Sequence, residues 1–188
     1  MNFTLYKPNS KNTGSAFSFT IAKDKKNNPV LFVSMIQQHS WNEKYKTGSF
    51  KQNAKDPQKS AVIKLSPTEA GEILSSFKTR IPFIAFHKRE NDSTIIKFNP
   101  WDKKRKIVDN KGESFVDTPA FGLTVSKKSS LSFKLPIEAG ETEVLAELFR
   151  EYIKQSFSTF GKNNYVPKDE TENAPEEAIE EDDDEAPF

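Results

Sequence analysis

The sequence has 188 residues and a formal net charge of +1, from 28 Lys+Arg against 27 Asp+Glu. Residues 168–188 hold 11 acids and one lysine, which leaves 27 bases against 16 acids, or +11, in residues 1–167. A basic body joined to an acidic tail points toward nucleic acid. No run approaches the ~18 apolar residues of a membrane span, and no basic-then-apolar leader opens the chain. With 0 cysteines there is no disulfide frame, no thiol nucleophile and no thiolate zinc site, as suits a reducing, cytoplasmic setting. A body of about 160 residues fits one domain with a full core. The 16 phenylalanines are more than a core of this size demands, so some are expected at a surface.

Along the chain, residues 3–7 read as a first strand. Phe17, Phe19 and Ile21 alternate with Ser18, Thr20 and Ala22, the period of a half-buried strand. Residues 30–38 (VLFVSMIQQ) follow the turn-rich KKNNP, so 16–23 and 30–38 are predicted to pair as a hairpin. Another strand is expected at 61–65. Ser66, Pro67 and Glu69 then supply an N-cap serine, a proline at the first helical position and the third-position glutamate of a capping box. Ala70, Ile73, Leu74 and Phe77 fall on one face of that helix, and Pro82 lies beyond its end. The second half repeats the plan. Strands at 83–88 and 94–98 flank Glu90-Asn91-Asp92, and strands at 121–127 and 131–135 flank residues 128–130. A long helix at 138–160 carries Val144, Leu145, Leu148, Phe149, Tyr152, Ile153, Phe157 and Phe160 as a stripe expected to dock on the core.

The two strand-to-helix junctions match locally: KLSPTEAGE at 64–72 and KLPIEAGE at 134–141, with one residue deleted. The coarse topology is four strands and a helix, twice, in one duplicated fold. Two lysine-rich inserts, 39–58 and 99–120, interrupt it. Each holds one of the two tryptophans, and strands are expected within them near 47–51 and 104–108.

Catalysis is poorly supplied. His39 and His87 lie 48 positions apart with no metal-ligand spacing, no Gly-rich phosphate loop is present, and no serine sits in a nucleophile elbow. The expectation is a protein that is not an enzyme and needs no cofactor or metal. Nucleic-acid binding is well supplied. Trp41, Lys44, Tyr45, Lys46, Phe50 and Lys51 interleave rings and cations, as do Phe86, His87 and Lys88, and again Trp101, Lys103, Lys104 and Arg105. Cations neutralise phosphates and release counterions. Rings stack on unpaired bases, and a duplex hides its base faces, so the combination favours single strands.

The tail has its own signal. Residues 176–188 (EEAIEEDDDEAPF) are too charged to fold, yet an aromatic follows the acidic run. Asp182, Asp183, Asp184 and Glu185 with Pro187 and Phe188 suit an apolar pocket with a basic rim on another protein.

These residues resemble known families. The tail is similar to the acidic tip of bacterial and phage single-stranded-DNA-binding proteins, with Glu185-Ala186 where that tip carries one apolar residue. The body resembles Whirly and Pur-alpha-like binders, most closely through KLSPTEAGEIL at 64–74, Phe86-His87-Lys88 and TIIKF at 94–98. That resemblance implies an α+β fold of two packed antiparallel four-stranded sheets with two helices over residues 1–160. A disordered acidic tail at 161–188 would follow. It also implies homo-oligomers, strands lying over the sheets, and a phage-type protein working in the host cytoplasm. The expected function is largely sequence-independent binding of single-stranded DNA in replication, recombination or repair. The tail would recruit a polymerase, primase, helicase or nuclease and compete with DNA. An RNA-binding or transcription-regulating module, or a scaffold for an acidic protein, remains the alternative.

Overall fold

The computed structural model describes residues 1–88, 92–110, 112–128 and 131–160. The expected tail and its tip from Asp182 to Phe188 lie outside the described residues, as do parts of the two expected turns, 90–91 and 129–130. The first half contributes β1 (Asn2–Lys7), β2 (Ser15–Lys23), β3 (Pro29–Gln37), a small hairpin of β4 (Ser40–Asn42) and β5 (Thr47–Ser49), then β6 (Ser60–Leu65) and α1 (Pro67–Thr79). The second contributes β7 (Phe83–Lys88), β8 (Ser93–Asp109), β9 (Gly112–Lys127), β10 (Ser132–Ile137) and α2 (Ala139–Phe160). Two antiparallel four-stranded sheets result, ordered β1-β2-β3-β6 and β10-β9-β8-β7. The α+β plan of four strands and a helix, twice, is therefore observed.

Strand alternation decides what each face carries. Phe17, Phe19 and Ile21 pair with Met35, Val33 and Leu31 and point inward, all nearly inaccessible. From the second sheet Ile96, Phe98, Leu123, Val125, Phe133 and Leu135 meet them in one core. Phe17 and Phe133 touch edge to face across the sheets, centroids 6.4 Å apart. The helices close the core through Phe149, which stacks on Phe77 at 6.4 Å and meets Phe19 edge-on at 5.9 Å. Phe77 in turn contacts Phe98 and Phe121. Much of the phenylalanine excess is thus an aromatic chain running from one sheet to the other. The α2 stripe is buried at Leu145, Leu148, Phe149 and Tyr152, but Val144 and Phe157 are 47% and 70% exposed, so the stripe is wider than the surface it covers.

The start of α1 has the expected capping box. Ser66 N–H donates to Glu69 Oε2 at 2.8 Å, and Glu69 N–H donates to Ser66 Oγ at 3.2 Å. Ser66→Ala is expected to cost about 1 kcal/mol, lowering the melting temperature by roughly 3 °C; calorimetry checks it. The matched junction sequences do not superpose, which corrects the repeat. They align Glu69 with Glu138, whereas in the fold Glu138 N–H donates to Glu141 Oε2 at 2.9 Å. Glu138 therefore occupies the place of Ser66, and Glu141 that of Glu69. The physical reason is that β10 runs through Pro136 to Ile137 before its helix starts, whereas β6 stops at Leu65.

The structural equivalence extends to two latches. Glu69, capping α1, accepts from His87 Nε2 on β7 at 2.6 Å. Glu141, capping α2, accepts from Lys7 Nζ on β1 at 2.5 Å. Lys7 and His87 occupy matching places on the first strands of the two halves, so each helix start fastens the opposite sheet.

Both inserts are structured. Residues 39–58 form the small hairpin and a 3₁₀ turn, Lys51–Lys55, so the strand expected at 47–51 ends at Ser49. The buried Gln38 ties this hairpin down, accepting from Asn9 N–H at 2.8 Å and donating to Ser40 O at 3.0 Å. Gly48 lies so close to the β1–β2 loop that a Cβ there would stand 2.3 Å from Pro8 Cβ. Residues 99–120 are no interruption at all. β8 and β9 continue in unbroken register from Thr94↔Lys127 to Asp109↔Gly112, projecting beyond the sheet as a two-stranded arm. Pro100 and Pro119 disguised it in the sequence. A two-stranded arm gives each strand a free edge, where proline is tolerated.

Candidate nucleic-acid interface

The residues that β-alternation turns away from the core build two outer faces. On the second sheet, cross-strand rows run Phe86, Ile95, Ser126, Ser132 and Ile84, Lys97, Thr124, Lys134. Phe86 is 59% exposed and Ile84 62%. The same face continues onto the arm as Trp101, Lys103, Arg105 and Ile107 on β8, opposite Ala120, Thr118, Val116 and Ser114 on β9. From Phe86 beside Ile95 to Trp101 the face runs about 20 Å. Along it from Lys88 to Ile107 stand Lys88, Lys97, Lys134, Lys103 and Arg105, and none of its described strand positions is a carboxylate; Glu138, at the start of α2, reaches only Lys103 at its edge. The opposite face of the arm is different. There Asp117 stands opposite Lys104, Lys106 and Glu113 form an ion pair, and Asp102 pairs with Arg80.

Electrostatics at the arm base fix its direction. Lys103 Nζ donates to Glu138 Oε1 at 2.5 Å, and Lys7 lies 3.8 Å from the same oxygen. The Lys103 hydrogen bond is the main reason the Glu138 carboxyl is held below its ordinary range; it outweighs the cost of burial, and the charges of Lys103, Lys7 and Arg105 add attraction. On the other side Arg80, a left-handed helix cap at φ 57°, donates to Trp101 O at 3.1 Å and Asp102 Oδ1 at 2.9 Å and lies over the Phe121 ring. Lys97, Lys134 and Arg105 form no ion pair with a described residue, so their charges face solvent.

The sequence-predicted residues separate into groups. Phe86, Lys88, Trp101, Lys103 and Arg105 share the acid-free face. Trp101 is 40% exposed. Lys104 points from the neutralised face of the arm. Trp41, Lys44, Tyr45 and Lys46 lie on the small hairpin at the end of the first sheet, where Asn42 Oδ1 accepts from Lys44 N–H and Tyr45 N–H to form the turn. Lys44 covers the Tyr45 ring at 5.3 Å, and Lys46 pairs with Glu43 at 2.7 Å. The Trp41 indole N–H is buried and meets no acceptor among the described residues. Lys51 is exposed. Phe50 requires a correction: its ring is 8% exposed, turned inward against Tyr6 at 5.7 Å, and offers no open face to a base. His87 is likewise held inward by Glu69.

Burial pushes the Glu69 carboxyl up, but hydrogen bonds from Ser66 and His87 outweigh it, so its pKa lies below the ordinary 4.5. A lowered carboxyl contributes stability above its unfolded pKa and loses it as pH falls through the folded one. Glu69→Gln is therefore expected to flatten the loss of melting temperature between about pH 5 and pH 3, which thermal melts across that range would read.

Sequence reasoning missed Lys97, Lys134 and Ile84 on this face, and on the first sheet the row Asn2, Thr20, Phe32, Lys64. Lys64 lies over the Phe32 ring at 5.3 Å. The outward phase of β2, Ser18 and Thr20, carried the signal for the first sheet, whose outer face also holds no carboxylate. Phe32 sat in a continuous apolar run where phase cannot be read. Among the described residues, no three His, Cys, Asp or Glu side chains are grouped to hold a metal ion.

No known family profile matches the chain, and no curated protein sequence matches it. Solved structures do. WHY3 from Arabidopsis thaliana is 16% identical with a TM-score of 0.53, over 87% of this chain and 93% of that one. WHY1 from the same plant is 14% identical at 0.53, over 94% and 97%. The plant transcriptional regulator PBF-2 is 15% identical at 0.51, over 89% and 88%. At these identities the likeness is one of fold, and the chain has the Whirly-type architecture that its junction and strand residues resembled.

Proposed function

We propose that this protein binds single-stranded DNA, largely without regard to sequence, across the outer face of the second sheet and along the continuous face of the arm. The observation that carries the reading is that face itself: exposed Phe86 and Trp101 beside Lys88, Lys97, Lys134 and Arg105, which form no ion pair with a described residue, on strand positions of which none described is a carboxylate. Cations set along a strand neutralise phosphates, and exposed rings take bases whatever their identity. Hydroxyls from Thr124, Ser126 and Ser132 line the same path. The likeness to plant proteins, one of them the transcriptional regulator PBF-2, supports the choice of a nucleic acid. It also motivates a second reading, control of transcription at a defined element. Coating of exposed strands in replication, recombination or repair is the role that a sequence-tolerant surface suits best.

Tryptophan fluorescence titrated with poly-dT, duplex DNA and RNA at two salt concentrations tests the binding. Quenching by dT that weakens steeply with salt is expected. No response to any nucleic acid would remove the proposal, and a preference for one mixed sequence over dT would favour the transcriptional reading.

The acidic segment is proposed to compete for the cationic face. Tethering keeps 11 carboxylates in residues 168–188 at high effective concentration near a body of charge +11. Truncation after Pro167 is expected to tighten dT binding several-fold at low salt and to leave it unchanged at high salt, where the competition is screened. Equal affinity of the two chains at low salt would eliminate the competition. Recruitment of replication proteins through Pro187 and Phe188 is the tail's second proposed role. Loss of a polymerase, primase, helicase or nuclease from the truncated chain in a pull-down is its readout.

A further inference from the structure

Past the core, the inner face of the first sheet turns polar. Phe17 pairs with Met35 inside the core, and one row further along the same face Ser15 pairs with Gln37. Near this pair lie Asn12 and Thr13 of the β1–β2 loop, together with Ser132 and Lys134 of β10, the edge strand of the second sheet. These six side chains line a groove of about 500 Å³; all are polar and none is a carboxylate. The groove is continuous with the outer face of the second sheet. Ser132 ends the row Phe86, Ile95, Ser126, Ser132, and Lys134 ends the row Ile84, Lys97, Thr124, Lys134.

We infer that this groove seats one unpaired base of the bound strand and holds it by its Watson–Crick edge. The seat rests on the binding proposed above and adds to it a contact that stacking does not supply. Two groups suit such an edge. Gln37 Nε2 donates to Ser132 O at 3.2 Å. A carbonyl only accepts, so this bond fixes the carboxamide and leaves Gln37 Oε1 as an acceptor with no donor among the described residues. Its neighbour Ser15 is 3% exposed, lines the groove, and makes no side-chain hydrogen bond to a described residue. A buried hydroxyl left without a partner costs free energy that a ligand group can restore. Directly opposed residues of an antiparallel pair stand about 5 Å apart at Cβ, so the acceptor and the adaptable hydroxyl lie side by side.

Every base carries a donor next to an acceptor on its Watson–Crick edge: a ring N–H beside a carbonyl in thymine and guanine, an amino group beside a ring nitrogen in adenine and cytosine. Gln37 and Ser15 can therefore take any base, in keeping with sequence tolerance. They take it only when that edge is not already spent on a complementary strand, so the seat selects single strands. Lys134, which forms no ion pair with a described residue, supplies a cation for a flanking phosphate. The loop wall is set in advance. Gln38 Nε2 donates to Asn12 Oδ1 at 3.2 Å and to Asn9 O at 2.9 Å, and Thr13 N–H donates to Asn9 Oδ1 at 3.1 Å. The Gln37 bond also covers Ser132 O, an edge carbonyl that an added peptide strand would need, which favours a base over a peptide.

The test uses the wild-type chain and the shortest dT oligonucleotide that keeps full affinity. One thymine at a time is replaced by a difluorotoluene nucleoside, which keeps the shape of thymine and lacks its hydrogen-bonding edge. Replacement at one position is expected to weaken binding about tenfold, the effect of two hydrogen bonds, and replacement elsewhere to change it little. Ser15→Ala with Gln37→Ala is expected to bind unmodified dT about tenfold more weakly and to show no penalty at that position. Ser15→Ala alone, which deletes a single oxygen, is expected to reduce the penalty to about threefold, and melting temperatures confirm that both variants fold. Full dT affinity with equal tolerance of the isostere at every position would overturn the seat and leave the binding itself standing. A tenfold penalty that survives in both variants would place the hydrogen-bonded base elsewhere and overturn the seat as well. A wild type that does not bind dT at all would remove the binding and the seat together.

Discussion

Replacing both Phe86 and Trp101 with alanine is expected to weaken dT binding by about 2–6 kcal/mol, a factor of at least roughly thirty, because each ring removes about 1–3 kcal/mol of stacking. The folded state has little stake in either ring. Phe86 is 59% exposed on an edge strand, and Trp101 is 40% exposed at the arm base, so melting temperatures are expected to move little. The loss should also be nearly independent of salt, since no cation has been touched. A parallel double variant, Lys97→Ala with Arg105→Ala, should show the opposite pattern. Removing two phosphate contacts lowers the log–log salt slope by about 1.4 for a single strand. Equilibrium titrations across a salt series separate the two behaviours. Full affinity in the Phe86/Trp101 variant would move the binding site to the first sheet or to the small hairpin, where Trp41→Ala and Tyr45→Ala become the next variants to titrate.

Phe149→Ala should be the most damaging single core substitution, at about 3–5 kcal/mol of unfolding free energy and roughly 10 °C of melting temperature. The argument rests on position as well as on size. Phe149 is 1% exposed and links Phe19 of the first sheet to Phe77 of α1, which touches Phe98 and Phe121 of the second sheet. Deleting it opens a cavity where both sheets and both helices converge, and no single element can relax to fill it. Urea unfolding gives the number. A loss below that of Ser66→Ala would mean that the core collapses around the site and that the aromatic chain is not what joins the layers.

Where a pattern was local, the sequence declared it. Phe17, Phe19 and Ile21 gave the phase of β2, and Ser66 with Glu69 marked the first residue of α1. Features set by distant partners were hidden. Phe50 and Tyr45 look alike in a lysine-rich segment, yet one ring faces Tyr6 and the other faces solvent, and the position of Tyr6 is a matter of tertiary structure. The arm was masked by two prolines and by a run of four cations that no period-2 pattern could be read through. Once its strands are in register, that run divides: Lys103 and Arg105 take one face, Lys104 and Lys106 the other. The acid-free face therefore emerges only from pairing, because Asp102 adjoins Lys103 in the chain and projects to the opposite side of the sheet. Lys97 and Lys134 were visible as outward strand positions but not as neighbours in one row. The junction match misled because identity of residues at 64–72 and 134–141 outlasted identity of their structural roles.

The reciprocal latches have a wider meaning. Glu69 of the first half clasps His87 of the second, and Glu141 of the second clasps Lys7 of the first. This is the contact pattern of a two-fold dimer, in which each partner lends its helix cap to the other, here written into one polypeptide. A true two-fold pair must duplicate every ornament. The fused pair is free of that obligation, and it differs between its halves: an arm between the second and third strands of one, a small hairpin between the third and fourth strands of the other. Covalent linkage through Ile81-Pro82 thus lets a symmetric framework carry an asymmetric surface, and gives it a direction that no symmetric dimer could have.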